Sequence, residues 1–127
     1  MNYPVGDFLI RIKNAYMAGK KEVVAPSSKN ILAISKILEE EGYIKKTKEN
    51  KEERKIIVEL SYSGRIPALS DVKLVSKPSV HEYFGKRKLM RATRAHGISV
   101  VTTNKGIMTS KKARSIGVGG ELICHIS

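Results

Sequence analysis

The sequence contains no tryptophan and a single cysteine among its 127 residues, and only 6% of it is aromatic. One cysteine cannot form a disulfide within the chain, and this scarcity is typical of proteins in a reducing compartment. No apolar run approaches the roughly 20 residues that a membrane-spanning helix needs. The first residues have neither a basic start nor an apolar stretch, so we expect no secretory signal and no export.

Acidic residues are also scarce: 12 Asp and Glu stand against 24 Lys and Arg, which gives a net charge of +12. A folded domain this basic repels itself unless an anion offsets the charge, and the phosphates of nucleic acid are the usual anion. The charge therefore favours nucleic-acid binding, with a lysine-rich surface that only aids solubility as the alternative. The basic residues do not form one face of a long amphipathic helix, which argues against a membrane-surface role.

Residues suited to catalysis or metal binding are few and poorly placed. Cys124 and His125 are neighbours on a predicted strand, so their side chains point to opposite faces. His81 and His96 have no metal-ligand spacing with Cys124. Neither of the common glycine-rich patterns for binding nucleotide phosphates follows a strand in the required way. We therefore expect no enzyme, no cofactor and no metal, and we interpret Cys124 as a small core residue.

Apolar residues at helical spacing predict two helices in the first half of the chain, each with proline or serine at its start and glycine at its end. The predicted order is α-β-α-β-β, with two helices on one face of a small sheet. Its elements are a helix from Pro4 to Gly19, a strand at 21–25, a helix from 26–28 to Gly42, and a hairpin at 43–61 that turns at 49–53.

The second half is predicted to be mostly β, with one or two short helices. Glycine and proline at 62–67 mark a boundary, so we predict an α+β fold of two small lobes, residues 1–63 and 64–127. Residues 77–94 form a basic segment with six Lys or Arg and one acidic residue. The predicted elements are strands at 72–76, 98–102 and 121–126 and short helices at 89–95 and 109–116.

Two polar turns near the C-terminus carry the sharpest functional pattern. In the first, the hydroxyl turn, Thr102, Thr103 and Asn104 offer donors and acceptors that suit base edges and 2′-hydroxyls in an RNA minor groove. Lys105 would add a phosphate contact, and Gly106 lacks the Cβ that would hold a ribose away. An ordinary hairpin turn explains the same composition equally well.

The second of these turns is the glycine turn, residues 117–120. Its spacing matches the G-x-x-G of a KH domain, but a glycine helix cap followed by a tight turn is the structural interpretation that we favour. In the basic segment, Tyr83 and Phe84 could stack on a base or anchor the loop to the core. Lys86 and Arg87 would add phosphate contacts.

Several segments together resemble the S-eight family of small-subunit ribosomal proteins. The most specific are residues 97–109, which include the hydroxyl turn, and residues 117–124, which begin with the glycine turn. Residues 4–14, 26–29 and 75–83 resemble the family's opening helix, second-helix start and middle. The resemblance runs nearly from end to end, although Asn104 stands where serine is usual in the family.

The resemblance implies a protein that binds a helix in the central domain of small-subunit rRNA, early in assembly, and helps to organise the platform. It also implies neighbouring ribosomal proteins as partners, no membrane, and a ribosome in the cytoplasm, with an organelle ribosome left open. Bacterial members can repress translation of their own messenger RNA. A KH-like RNA-binding regulator off the ribosome is the alternative. The residues assigned to RNA binding are Thr102, Thr103, Asn104, Lys105, Gly106, Gly119, Gly120, Glu121, Tyr83, Lys86, Arg87, Arg11, Asn14, Ser28 and Lys29.

Overall fold

The computed structural model describes residues 4–75, 83–84 and 97–127. The chain divides into two compact units, Pro4–Ser70 and Asp71–Ser127. Each unit combines helix with antiparallel sheet, which confirms the α+β class predicted from the sequence. Of the helices in the described ranges, none is long and apolar enough to cross a membrane.

The N-terminal unit contains two helices and a three-stranded antiparallel sheet in the order β1-β3-β2. The α-β-α-β-β order predicted from the sequence is confirmed, and residues 62–67 add a separate small hairpin. The elements are α1 (Pro4–Met17), β1 (Glu22–Pro26), α2 (Lys29–Glu40), β2 (Lys46–Asn50), β3 (Lys55–Glu59), β4 (Tyr62–Ser63) and β5 (Ile66–Pro67).

The core of this unit lies between the helices and one face of the sheet. Helix α1 contacts α2 and β1, and α2 contacts β2. Strands β1 and β3 alternate exposed and buried residues, which is the pattern of a sheet covered on one face. Most of the apolar residues at helical spacing in α1 and α2 lie on the buried faces of these helices. The largest fully buried side chains of this core include Phe8, Leu9, Ile12, Ile34, Leu38, Ile56 and Val58.

A pair of tyrosines ties the β4–β5 hairpin to the end of α1. The Tyr16 hydroxyl donates to the Tyr43 carbonyl at 2.6 Å and accepts from the Ser61 N–H at 3.0 Å. The ring of Tyr62 meets that of Tyr16 edge to face at 5.3 Å, and its hydroxyl donates to the Lys20 carbonyl at 2.5 Å. Burial raises the pKa of Tyr16, so its hydroxyl keeps its proton in this network.

The C-terminal unit is built around a central strand, β10, which pairs with β6, β7 and β8, and β8 pairs in turn with β9. The strands predicted at 98–102 and 121–126 are confirmed, whereas β9 was not predicted. The helix predicted at 89–95 lies outside the described residues. The elements are β6 (Val72–Leu74), β7 (Tyr83–Phe84), β8 (Ile98–Thr103), β9 (Gly106–Thr109), α3 (Ser110–Ile116) and β10 (Gly120–Ile126).

Strand β10 does not keep a simple alternation of buried and exposed residues. Its register against β8 shifts between Leu122 and Cys124, which is a β-bulge at Ile123. Leu122, Ile123 and Cys124 are all buried, so buried and exposed side chains no longer alternate along this part of the strand. The apolar cluster beside this bulge consists of Val101, Met108, Ala113 and Leu122, with Val75 and Val118 packed against it.

Candidate nucleic-acid interface

The hydroxyl turn connects β8 to β9 as a tight hairpin. Thr103 lies opposite Gly106 in the antiparallel pairing, so Asn104 and Lys105 occupy the two loop positions. Both loop residues are exposed. Gly106 has a φ of 111°, a backbone conformation that residues with a Cβ rarely adopt. The hairpin interpretation of this turn is thus confirmed, and the hairpin presents an amide and an ammonium group at its tip.

The Thr103 hydroxyl is already engaged within the turn. It accepts from the Lys105 N–H at 3.0 Å and donates to the Gly106 carbonyl at 2.9 Å. A hydroxyl has one proton and two lone pairs, so a single lone pair is left for another partner. Thr103 can therefore accept a hydrogen bond from a 2′-hydroxyl or a base amine, but it can donate none without breaking the turn.

Gly120 brings the glycine turn against the hydroxyl turn. A Cβ at this position would lie 2.4 Å from the Thr102 carbonyl oxygen and 2.9 Å from Thr103 Cγ2, so no other residue fits without a shift of the backbone. The first residue of β10 is therefore in close contact with the end of β8. The two turns that the sequence separates by ten residues share one edge of the C-terminal unit.

Three of the predicted RNA-binding residues also lie in one register row across the sheet. Thr102 on β8 lies opposite Glu121 on β10, and Glu121 lies opposite Tyr83 on β7. Lys86 and Arg87 follow β7 in the sequence but fall outside the described residues. Strand pairing therefore extends the candidate surface from the hydroxyl turn across β10 to β7.

Helix α3 lies between the two turns in the sequence and is capped at both ends. The Thr109 hydroxyl accepts from the Lys112 N–H at 3.2 Å, and no acidic residue stands at Lys112 to return the bond. Gly117 adopts the left-handed conformation (φ 78°), and its N–H donates to the carbonyls of Ala113 and Arg114. The glycine-cap interpretation of the first residue of the glycine turn is confirmed.

Positive charge accumulates around the two turns. Helix α3 packs against β8 and β9 and carries Lys111 and Lys112, both exposed, and Arg114, which is half-buried. Residues 71–127 contain eleven Lys and Arg against three Asp and Glu. Such an excess over the unit as a whole attracts a polyanion.

The remaining predicted residues lie in the N-terminal unit. Arg11 and Asn14 are exposed on α1, and Lys29 is exposed at the start of α2. Ser28 is the N-cap of α2, and its hydroxyl oxygen accepts from the Ile31 N–H at 3.2 Å. These four residues belong to a different unit from the two turns, and their RNA contacts stay predictions.

The chemistry of Cys124 is that of a core residue. It is fully buried, and burial raises the pKa of its thiol to about 12, so the thiol is neutral and a poor nucleophile or ligand. His125 Nδ1 lies 3.0 Å from Ser99 Oγ on the neighbouring strand. Within the part of the chain that the structure describes, no group of three His, Cys, Asp or Glu could hold a metal ion.

Sequence reasoning did not identify two contributions to this surface. The basic side chains of α3 were not assigned to RNA binding, although a pair of lysines one short strand after a polar turn is a readable signal. The packing role of Gly120 depends on how β8 pairs with β10, and no local pattern reveals that pairing.

Comparison with known proteins shows the family of this chain. The family model for "Ribosomal protein S8" matches residues 3–127. The small ribosomal subunit protein uS8 of Nitrosomonas europaea is 43% identical over 129 residues, which cover 100% of this chain and 98% of the relative. The uS8 proteins of Nitrosococcus oceani and Delftia acidovorans are 40% and 41% identical, again with 100% of this chain and 98% of the relative covered. The resemblance seen in the sequence is confirmed, and the chain belongs to the ribosomal protein S8 family.

Proposed function

We propose that the protein is a structural component of the small ribosomal subunit that binds small-subunit rRNA directly through its C-terminal unit. The observation that carries this proposal is the contact between the hydroxyl turn and the start of β10 at Gly120. It brings exposed polar groups together on one edge of a strongly basic unit. Such an edge suits the shallow minor groove of folded RNA, where backbone and 2′-hydroxyls are accessible.

Affinity and selectivity come from different groups in this proposal. Lys105, Lys111 and Lys112 supply phosphate contacts that release counterions and make binding sensitive to salt. Thr103, which can only accept, and the amide of Asn104, which can also donate, read hydrogen-bonding groups of the RNA. Phosphate contacts position the protein, and the hydrogen bonds of the turn select the site.

The function is not enzymatic. The chain belongs to a family of structural ribosomal proteins, and its relatives bear the name of a small-subunit protein. The buried, neutral thiol of Cys124 agrees with this assignment. We place the protein on the ribosome, with neighbouring small-subunit proteins as further partners.

We infer that the target is an irregular helix in the central domain of the small-subunit rRNA, bound early so that the platform can assemble around it. A similar element in the protein's own operon messenger RNA would be bound by the same two turns and would repress translation. Both inferences follow the family resemblance of residues 97–109 and 117–124.

A titration with two transcripts tests the proposal. We expect the purified full chain to bind a central-domain rRNA transcript at least tenfold more tightly than a large-subunit transcript of equal length, as base and shape recognition require beyond phosphate attraction alone. Equal affinity for both transcripts would contradict it.

The competing function is a KH-like regulator that works off the ribosome, which the G-x-x-G spacing of the glycine turn suggests. Washing ribosomes in high salt separates the two. A ribosomal component should remain with the small subunits, whereas a regulator should be released with the soluble fraction.

A further inference from the structure

The three-stranded sheet of the N-terminal unit has two open edges, β1 and β2, because β3 lies between them. An edge strand presents unpaired N–H and C=O groups, which can pair with a strand of another molecule. In the part of the chain that the structure describes, no further strand pairs with either edge. Each edge is instead contacted by one charged side chain, Arg11 of α1 at β1 and Glu39 of α2 at β2.

The backbone of β1 directs every second residue toward its open edge. At one end of the strand, the Lys21 carbonyl accepts from the Leu60 N–H at 2.8 Å. At the other end, the Ser27 N–H donates to the Arg54 carbonyl at 2.8 Å. Both bonds continue the register of the antiparallel pairing, so the odd-numbered residues of β1 bond to β3. The N–H and C=O of Val24, at the middle of the strand, therefore point to the open edge.

Arg11 occupies the outward carbonyl of Val24. Its Nη1 donates to this oxygen at 2.8 Å, and because the guanidinium is charged, the bond is stronger than one between neutral groups. Both residues are exposed, so water would satisfy the carbonyl as well. The bond is therefore not required to satisfy a buried group, and its effect is to keep another strand from using the carbonyl.

Without this bond, β1 is complementary to a second copy of itself. In an antiparallel pair centred on Val24, the Val24 N–H of each copy donates to the Val24 carbonyl of the other. The same register places Glu22 opposite Pro26. There the Glu22 N–H can donate to the Pro26 carbonyl, although Pro26 has no N–H to return the bond. A two-fold axis between the two Val24 residues generates each of these bonds twice.

The side chains on the outer face of the sheet agree with such a pair. Val24 is 44% exposed, and the Val24 of a second copy would cover it. Glu22 would lie beside Pro26, and Lys55 lies opposite Pro26 in the pairing of β1 with β3. The acidic end of β1 in one copy is thus placed on the side of the basic end in the other. This complementarity of charge favours a second copy as the partner.

The β2 edge is less suited to strand pairing. The Thr47 N–H donates to Glu39 Oε1 at 2.7 Å, so this outward group is also occupied. Lys46 and Lys48 are exposed on the same strand, and lysines on an edge disfavour the approach of another strand. Of the two edges, β1 is the one that combines an exposed apolar residue with self-complementary backbone groups.

We propose that β1 is a self-pairing strand whose pairing is blocked by Arg11. While the Arg11 guanidinium bonds to the Val24 carbonyl, the free protein is a monomer. When this bond is lost, the protein dimerises through β1, and the partner is a second copy of this chain. The device belongs to the N-terminal sheet, goes beyond the proposed function, and stands or falls independently of the two C-terminal turns.

Sedimentation velocity of the full chain tests this role of Arg11. We expect the wild type to sediment as a 14.1 kDa monomer. Arg11→Ala should dimerise about a hundredfold more tightly, because a charge-assisted bond worth roughly tenfold no longer has to be broken in each copy. Arg11→Met keeps the aliphatic stem and should behave like Arg11→Ala.

Arg65→Ala is the control, since it removes the same charge from the exposed turn of the β4–β5 hairpin and should remain a monomer. A wild type that is already dimeric overturns the proposal. So do Arg11 variants that are no more dimeric than Arg65→Ala.

Amide hydrogen exchange locates the contact. The Val24 N–H has no acceptor among the described residues, so it should exchange quickly in the wild type. In Arg11→Ala its protection should rise with protein concentration, because it bonds to the second copy. Adding Val24→Lys should restore the monomer, since two lysines would lie directly opposite each other. A dimer that leaves the Val24 amide unprotected, or that persists in the double variant, places the contact elsewhere and overturns the proposal.

Discussion

The two units of the molecule carry their charge differently. Residues 1–70 contain thirteen Lys and Arg against nine Asp and Glu, whereas residues 71–127 contain eleven against three. In the N-terminal unit, carboxylates contact some of the cations, as in the 2.9 Å pair of Lys48 and Glu59. In the C-terminal unit, the sequence contains too few acidic residues to offset most of the Lys and Arg. The region with the larger excess of Lys and Arg in its sequence is the region that contains both polar turns.

Close approach of strands at glycine is seen in the C-terminal unit, whereas turn glycines occur in both units. Gly19, Gly42 and Gly64 of the N-terminal unit have positive φ angles and open space where a Cβ would lie, so they reverse the chain. At Gly97 and Gly120 of the C-terminal unit, a Cβ would collide with the backbone of a neighbouring strand. Gly97 and Gly120 therefore allow strands to approach each other, whereas Gly106 and Gly117 of the same unit serve a turn and a helix cap. At Gly120 that approach builds the candidate interface.

The largest expected effect comes from Gly120→Ala. The added Cβ collides with the Thr102 carbonyl, so we expect a loss of about 3 kcal/mol of unfolding free energy, the upper range for overpacking, together with loss of selective RNA binding. Gly64→Ala is the control, since it meets no neighbouring atom and should lose only about 1 kcal/mol through its positive φ. Urea denaturation measures both. Equal losses of unfolding free energy in the two variants would contradict the claim that Gly120 is required for close approach of strands and Gly64 only for its φ angle.

Thr103→Val should weaken binding to the central-domain transcript by about 2 kcal/mol, because it leaves an RNA donor and the turn's own backbone groups unpaired. Thr103→Ser retains the hydroxyl and should bind like the wild type. A filter-binding titration compares them. An unchanged affinity for Thr103→Val would exclude this hydroxyl from the interface.

Much of the fold was predictable because its signals are local. The apolar periodicity of α1 and α2 and the Ser28 cap are contained within a few residues of each helix. Strand β9 was not predictable, because it has only four residues and is recognised as a strand by its hydrogen-bonded pairing with β8. The bulge at Ile123 likewise exists only relative to β8.

The candidate site, too, was predictable only where its signals are local in the sequence. The residues of the hydroxyl turn and the glycine turn could be chosen from their local chemistry. Their contact could not, since it depends on the register that places Gly120 beside Thr102. The positive φ of Arg54 was also invisible, because the sequence offers arginine where the turn would favour glycine.

Lys105→Ala tests whether the lysines of the C-terminal unit contribute more to RNA binding than those of the N-terminal unit. We expect it to lower the salt slope of binding to any RNA by about 0.9, the effect of one lost phosphate contact. Lys36→Ala removes an exposed charge from α2 and should leave the slope unchanged. Fluorescence anisotropy over a range of salt concentrations measures both slopes. A larger change in salt slope for Lys36→Ala than for Lys105→Ala would mean that the N-terminal unit makes the dominant RNA contact.

The smallest expected effect is on the stability of Arg54→Gly. Glycine accepts the positive φ but has more freedom to lose on folding, so the free energy of unfolding should stay the same or rise by at most about 1 kcal/mol. Thermal unfolding followed by circular dichroism measures this. A clear decrease in melting temperature would mean that the arginine side chain supports the fold itself.

Chemical footprinting of the full chain on transcribed small-subunit rRNA tests the central claim most directly. If the adjacent turns of the C-terminal unit select one RNA element, the wild type protects a confined set of nucleotides in one irregular helix of the central domain, and Gly120→Ala loses that protection. Protection of no nucleotides, or an even protection of all exposed helices by both proteins, would contradict the claim.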